Sequence, residues 1–434
     1  MRTAAKNQVL RTRLQNGLKV RLKEIHTAPL VSCWVWYRVG SKDERPGQTG
    51  ASHWVEHMQF KGTRRHSGAE LERVISRDGG FWNAFTWLDW TAYFETMPAD
   101  RIDLALRLEA DRMRTSLFDP KEVEAERTVI MSERQGNENE PTFRLAEEIQ
   151  SAAFRVHPYH HEVIGDMADL ESMTRDDLYH HYRNFYRPNN AVLVVAGDFQ
   201  RRPMLERVRR LFGSIPPRQV ERMAPRPEPE QHGERRLTLE GPGKTAYLEV
   251  AYHAPRGADA AFFPLAVLDS ALAGASSLNL FGGGLSNKTS RLYRALVERG
   301  LAASVSGDLA TTIDPYLYSF RITVRPEHSP EKVLAAFDQE IDRLLEAPIA
   351  SAEIEKAGKQ ARALFAFGSE SITNQAFWQG YSEMFADHIW FEDYLARIQA
   401  VTVEQVVTVA QQVLRQANRV VGVYLPSGEG ADAS

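Results

Sequence analysis

Five prolines between Ile215 and Arg235, at 216, 217, 225, 227 and 229, divide this 434-residue chain in two. Proline fixes its own φ and removes a backbone donor, so such a run cannot continue a helix or a central strand and reads as a linker. Each flanking segment is about 200 residues, the size of one domain. Both close alike. Tyr179 to Tyr186 reads as a helix, followed by a turn and the strand Ala191 to Ala196; Thr402 to Arg415 reads as a helix leading into the strand Asn418 to Leu425. The shared ending predicts a duplication. The expected division is an N-terminal domain over 1–215, a linker over 216–235 and a related C-terminal domain over 236–434.

Hydrophobic periodicity fills in the halves. Leu18 to Leu22 and Val31 to Val39 read as strands, and the aromatic, threonine-rich run Phe81 to Glu95 as one or two more. Helices are predicted over Glu70 to Arg77, Ile102 to Ser116, Pro203 to Phe212, Phe262 to Leu272 and Glu331 to Leu345. Thr245 to Tyr252 and Tyr316 to Val324 read as strands of the second half. Asp119-Pro120 punctuates the start of a further helix through Glu133, with Asp119 as cap and Glu122 in position to close a capping box. Strands and helices that do not strictly alternate indicate an α+β fold, with two tandem related domains, each a sheet covered by helices.

Chemistry concentrates in Gly50-Ala-Ser-His-Trp-Val-Glu-His-Met-Gln-Phe-Lys-Gly-Thr63. On a helix, His53 and His57 lie four apart on one face, and Glu56 lies on the same side. Two neutral imidazoles suit zinc, and a third protein ligand would leave one position open for water. The order H-x-x-E-H is a zinc-peptidase signature. Trp54, Val55, Met58 and Phe60 provide an apolar face that packs this helix, and a polar trio on a packed helix needs partners. Glu126 and Glu133, almost two turns apart, share a face of the later helix and offer a third ligand.

Composition narrows the rest. Hydrophobic content of 43%, charged content of 25% and a formal net charge of -4 describe a globular protein without the basic surplus of a nucleic-acid binder. The single cysteine, Cys33, excludes an internal disulfide or a cysteine-based metal site and reads as a buried thiol in Leu30 to Tyr37. No apolar run reaches the roughly 20 residues that span a bilayer, and the N-terminus lacks a signal-type apolar core, so a cytoplasmic protein with no membrane partner is expected.

The chain resembles the insulinase/pitrilysin-type zinc peptidases, within them the short two-domain group of mitochondrial processing peptidase subunits and bacterial relatives. The resemblance spans nearly the whole chain. It rests on His53 to Thr63 and on Gly79-Gly80-Phe-Trp-Asn83-Ala84-Phe-Thr86. Glu126-Arg-Thr-Val-Ile-Met-Ser-Glu133, His157-Pro158-Tyr159 with Ile164-Gly165, Phe185 to Asn190, and Gly282 to Ser286 with Ser290-Arg291-Leu292 support it. It implies one zinc ion per chain held by His53, His57 and Glu133, the last 76 residues beyond His57. It makes Glu56 the general base that activates the zinc-bound water, and Glu126 the supporting glutamate near the ligands, orienting His57 or the zinc site. Asn83 and Ala84 match positions where such enzymes bind an extended peptide as an added strand, with Phe60 beside them. Gly282 to Gly284, which lack the lysine of a phosphate loop, resemble the family's glycine-rich loop over the substrate chamber.

One departure stands out. Many active relatives carry an Arg and a Tyr seven residues apart in the second domain. Anchored on Arg299-Gly300-Leu301-Ala302, those positions here are Leu296 and Ala303, which have no side-chain donor for a developing oxyanion. The resemblance therefore implies an endopeptidase subunit for unfolded peptides. It would form half of a clam-shell chamber closed by a homologous second subunit carrying the pair, as a heterodimer, or as a homodimer with weak activity. The rivals are a non-catalytic structural or peptide-binding subunit and a maturation peptidase for a single precursor.

Overall fold

The computed structural model describes residues 9–224, 226–278, 288–347 and 349–428. It contains two sheets. The first is built from β1 (Leu10–Arg13), β2 (Lys19–Glu24), β3 (Leu30–Tyr37), β4 (Phe81–Thr86), β5 (Thr91–Pro98) and β6 (Ala191–Gly197), in the order β1-β2-β6-β3-β5-β4. The second comprises β7 (Arg235–Gly241), β8 (Tyr247–Ala254), β9 (Ala302–Leu309), β10 (Tyr316–Val324) and β11 (Arg419–Pro426), in the order β7-β11-β8-β10-β9.

The expected duplication is written in this topology. Setting β1 aside, both sheets have the order first-fifth-second-fourth-third. In both, the fifth strand pairs parallel with the first, while the other neighbours are antiparallel. The closing helix, turn and strand of each half therefore do the same job: they insert a late, largely apolar strand beside the first. With β-strands and helices segregated in this way, the class is α+β.

Two compact units are not the linear halves. The first takes the chain through Gln135, the stretch from His161 to the linker, and Ser369–Phe391; the second takes Gly136–His160, the chain through Gly368, and Glu392 onward. Each half lends the other a helix, for a local packing reason. In the first unit, Ile372–Phe385 lies on β3 and β6. Gly380 sits so close to Trp36 that an added Cβ would stand 2.1 Å from its Nε1, so only glycine lets the helix reach the sheet. The same helix carries the buried Glu383, whose carboxylate accepts from Lys19 Nζ at 2.7 Å and Arg21 Nε at 3.0 Å. In the second unit, Pro141–Ala153 lies on β8 and β11 and buries Leu145 and Ile149.

The described residues of the proline-rich stretch are irregular, yet anchored. Arg222 pairs with Asp43, and Glu228 accepts from the backbone N–H groups of Arg155 and Val156 at 2.9 Å. Where that stretch was expected to end, Arg235 already begins β7. No helix among the described residues is long and apolar enough to cross a membrane.

Candidate metal centre and active site

The site lies in the first unit, on the helix Ala51–Met58 and the helix Pro120–Glu138. The first helix is short, eight residues, and is held by its surroundings more than by propensity. Gly50 starts it at φ +87, where an added Cβ would come within 2.4 Å of Ile164 O. The buried Glu44 carboxylate caps it, accepting from Gly50 N at 2.8 Å and Ser52 N at 2.7 Å. Ala51, Trp54, Val55 and Met58 are buried as the amphipathic pattern predicts. His53 and His57 therefore share a rigid face, their rings 4.6 Å apart and edge-on.

Glu133 arrives from the second helix. His53 Nε2 stands 4.0 Å from one of its carboxylate oxygens and His57 Nε2 3.8 Å from the other. These separations exceed a hydrogen bond. One donor atom from each of the three residues falls within 4.8 Å of the others, the one such cluster among the described residues. A tetrahedral ion with bonds of about 2.1 Å holds its donors about 3.4 Å apart, so a small inward movement would seat zinc. The donor set fits that metal and leaves a fourth position for a non-protein ligand.

Glu126, one turn pair earlier, is buried and points elsewhere. Its Oε1 lies 2.7 Å from His57 Nδ1, and Lys61 Nζ rests against its Oε2. A carboxylate on Nδ1 leaves the Nε2 lone pair aimed at the donor cluster. The electrostatics agree on both sides of this contact. Burial opposes charge on His57, but the Glu126 hydrogen bond and nearby carboxylates outweigh it and raise its pKa. Burial likewise opposes charge on Glu126, yet His57 and Lys61 outweigh it and hold the carboxyl below its usual range. His53 is different: burial, aided by His57, drives it down to about 3, so its ring is neutral at ordinary pH.

Glu56 stands beside the cluster without joining it. Thr86 Oγ1 on β4 donates to its Oε2 at 2.5 Å, which leaves Oε1 for a reactant. Burial pushes the carboxyl up to about 7, against Thr86 and His57, which pull it down. A bound cation would also pull it down. A carboxyl poised near neutrality can both take and return a proton.

Of the expected peptide-binding residues, Asn83 and Ala84 lie on the same strand as Thr86, and Phe60 packs against it. Phe60, just past the helix, packs edge-on against Trp82 at 4.7 Å. Asn83 is exposed and Ala84 buried on β4, the edge strand of its sheet. Leu296 is buried and Ala303 is exposed on β9, both in the second unit. Gly282 to Gly284 lie outside the described residues. Sequence reasoning missed three participants: Thr86, Glu44 and Lys61. Thr86 stood inside a quoted motif without a role. Glu44 carried a faint signal, an acid six residues before a glycine-started helix.

The chain is similar to known proteins over most of its length. The family model described as insulinase (peptidase family M16) matches residues 19–167, and that described as peptidase M16 inactive domain matches 172–361. An uncharacterized zinc protease of Mycobacterium tuberculosis is 30% identical over 408 residues, covering 93% of this chain and 90% of the relative. A zinc protease of Helicobacter pylori is 27% identical over 383 residues, covering 87% of this chain and 82% of the relative. In fold, the crystal structure of a protease from Helicobacter pylori superposes with a TM-score of 0.90 at 24% identity, covering 97% of this chain and all of that one. The chain belongs to the insulinase family of peptidases, M16.

Proposed function

We propose that the chain is a zinc-dependent endopeptidase subunit acting on extended, unfolded peptides. The observation that carries this reading is the convergence of His53, His57 and Glu133 with the Thr86-anchored Glu56 beside them. When bound, zinc would polarise the scissile carbonyl and acidify the attacking water. The chain's own residues do the rest. The peptide pairs with the open edge of β4 near Asn83 and Ala84, with Phe60 and Trp82 flanking its side chains. Glu56 Oε1 takes one proton from the water as its oxygen bonds to the carbonyl carbon, and Oε2 stays on Thr86. Glu56 then delivers that proton to the amide nitrogen as the C–N bond breaks, which leaves an acid and an amine. Glu126 keeps the His57 ring in one tautomer throughout.

Developing charge on the carbonyl oxygen calls for further donors, and Leu296 and Ala303 cannot supply them. A homologous second subunit with an Arg and a Tyr at those positions answers the need; a second copy of this chain would not. The same deficit favours one alternative, a non-catalytic peptide-binding subunit.

Quenched peptides of about 10–30 residues, offered to the purified zinc-loaded chain and to Glu56→Gln, test the reading. Cleavage that the substitution abolishes supports the peptidase. Cleavage of equal rate by both proteins contradicts it. Activity that appears only on adding a homologous subunit supports the half-site reading.

A further inference from the structure

The edge strand β4 presents two faces, and the metal site uses one. Pairing sets Trp82, Ala84 and Thr86 opposite Glu95, Tyr93 and Thr91, and Phe81, Asn83 and Phe85 opposite Thr96, Phe94 and Ala92. Thr86 reaches Glu56 and Trp82 packs on Phe60, so the even-numbered residues look toward the metal helix. Strand alternation sends the odd-numbered ones to the opposite face. There Phe85 stacks on Phe94 with ring centroids 6.0 Å apart, and Phe81 meets the same ring edge-on at 5.6 Å.

Phe94 belongs to the core cluster with Trp34, Trp36, Ile372 and Ala376, which the helix Ile372–Phe385 covers over β3 and β6. Toward β4 the cover ends. Phe81 is 61% exposed, Phe85 43% and, just past the strand, Trp87 41%. Single exposed aromatics are ordinary; Phe81 and Phe85, on one face of β4 with the exposed Asn83 between them, and Trp87 just past its end form a stripe along the edge. The stretch Phe81 to Trp87 also carries no charge, unlike a usual protected edge. The edge itself is open: among the described residues no strand pairs beyond β4, and Ala84 N–H donates at 2.8 Å to the side chain of its own neighbour, Asn83. That amide oxygen occupies the role of a next strand's carbonyl.

We propose that Phe81, Phe85 and Trp87 form a specificity surface for the peptide that adds to β4. This rests on the peptidase reading for the nature of the added strand. A strand paired there must place every second side chain on the aromatic face, while the intervening ones face Glu56 and the metal ligands. The substrate class is then an extended segment with uncharged apolar or aromatic residues at alternate positions. The occupant is a peptide, because the stripe is continuous with the backbone edge that carries Thr86.

The test is a binding measurement on the full zinc-loaded chain carrying Glu56→Gln to stop turnover. Two fluorescent peptides are compared by anisotropy, one with Phe or Leu at alternate positions and one with Ser there. The alternating peptide is expected to bind on the order of tenfold tighter, and Phe81→Ser/Phe85→Ser to remove that preference without changing the Ser peptide. Phe81→Ser alone, the most exposed position, should lose part of it with an unchanged unfolding midpoint. Equal affinities in the parent and stripe variants overturn the proposal, as does failure of the alternating peptide to bind. A stripe variant that abolishes self-association while peptide affinity holds also overturns it, in favour of a contact between copies. Hydrolysis read separately keeps the two readings apart. Stripe-dependent binding without cleavage by the wild-type chain, either alone or with a homologous second subunit, sinks the peptidase and keeps the surface; cleavage indifferent to the stripe does the reverse.

Discussion

Glu126 touches no donor position, yet its removal should weaken the metal centre by a calculable amount. Its Oε1 lies 2.7 Å from His57 Nδ1, and its side chain is 6% exposed, so this is a charge-assisted bond largely out of water. Such bonds contribute about 1.5–3 kcal/mol, against about 0.5–1.5 for a neutral acceptor. Glu126→Ala frees the imidazole to rotate and to change tautomer, and lowers the basicity of Nε2. Loss of an outer partner of this kind typically costs about 10–100-fold in metal affinity, or about 1.4–2.7 kcal/mol. Glu126→Gln still offers a carbonyl oxygen to Nδ1, so it keeps the tautomer and loses only the charge; about tenfold or less is expected. Lys61 is 34% exposed and can turn to water in either variant, so the fold should not suffer. Competition for zinc against a chromophoric chelator at neutral pH measures all three proteins, with unfolding midpoints in excess chelator as the control. Wild-type affinity in Glu126→Ala would refute the reasoning, and so would a larger loss in Gln than in Ala.

Other consequences follow from the same geometry. Gly380→Ala sits inside a helix, where propensity alone would stabilise by about 1 kcal/mol; the overlap with Trp36 should win and destabilise by about 1–3 kcal/mol net, seen as a lower urea midpoint. The buried His181, whose Nε2 lies 3.2 Å from Ser52 Oγ, has its pKa pushed down by burial to about 4. Its folded value lies below the unfolded 6.5, so the stability it contributes is full above that pH and is lost as pH falls toward 4. Chelated wild-type protein should lose up to about 3 kcal/mol over that window, and His181→Gln should show a flatter urea-midpoint profile. Thr86→Val removes the hydroxyl that favours ionised Glu56, so the acidic limb of kcat/KM against pH should move to higher pH; an unmoved limb would assign that limb to another group.

The parts of this molecule readable in advance are those encoded by local periodicity. The four-residue spacing of His53 and His57 needed only a helix, and the apolar Trp54, Val55 and Met58 supplied one. The mirrored endings of the two halves pointed to duplication, which the two sheet orders display. Contacts between residues far apart in sequence were not readable in this way. Glu133 is selected as a partner by the packing of two helices, and its face looked like any charged helix surface; only the family resemblance singled it out. Gly380 in its helix reads as a defect until Trp36 is known to lie against it, so the exchange of helices between the halves stayed hidden. Thr86 reads as a β-favouring residue, and its bond to Glu56 exists only because β4 lies beside the metal helix. The strand β7 escaped notice because its alternation, Arg235-Arg-Leu-Thr-Leu-Glu-Gly241, begins where the proline-rich stretch fades.

The most direct test of the whole account is the metal content of the purified chain and four variants, by mass spectrometry of the native protein. One zinc per wild-type chain is predicted. It should be retained in Glu56→Gln, because Glu56 is placed beside the ligands and not among them, and lost from His53→Ala, His57→Ala and Glu133→Gln. Zinc held equally by the Glu133 variant, or released by the Glu56 variant alone, would contradict the assignment of ligands and base.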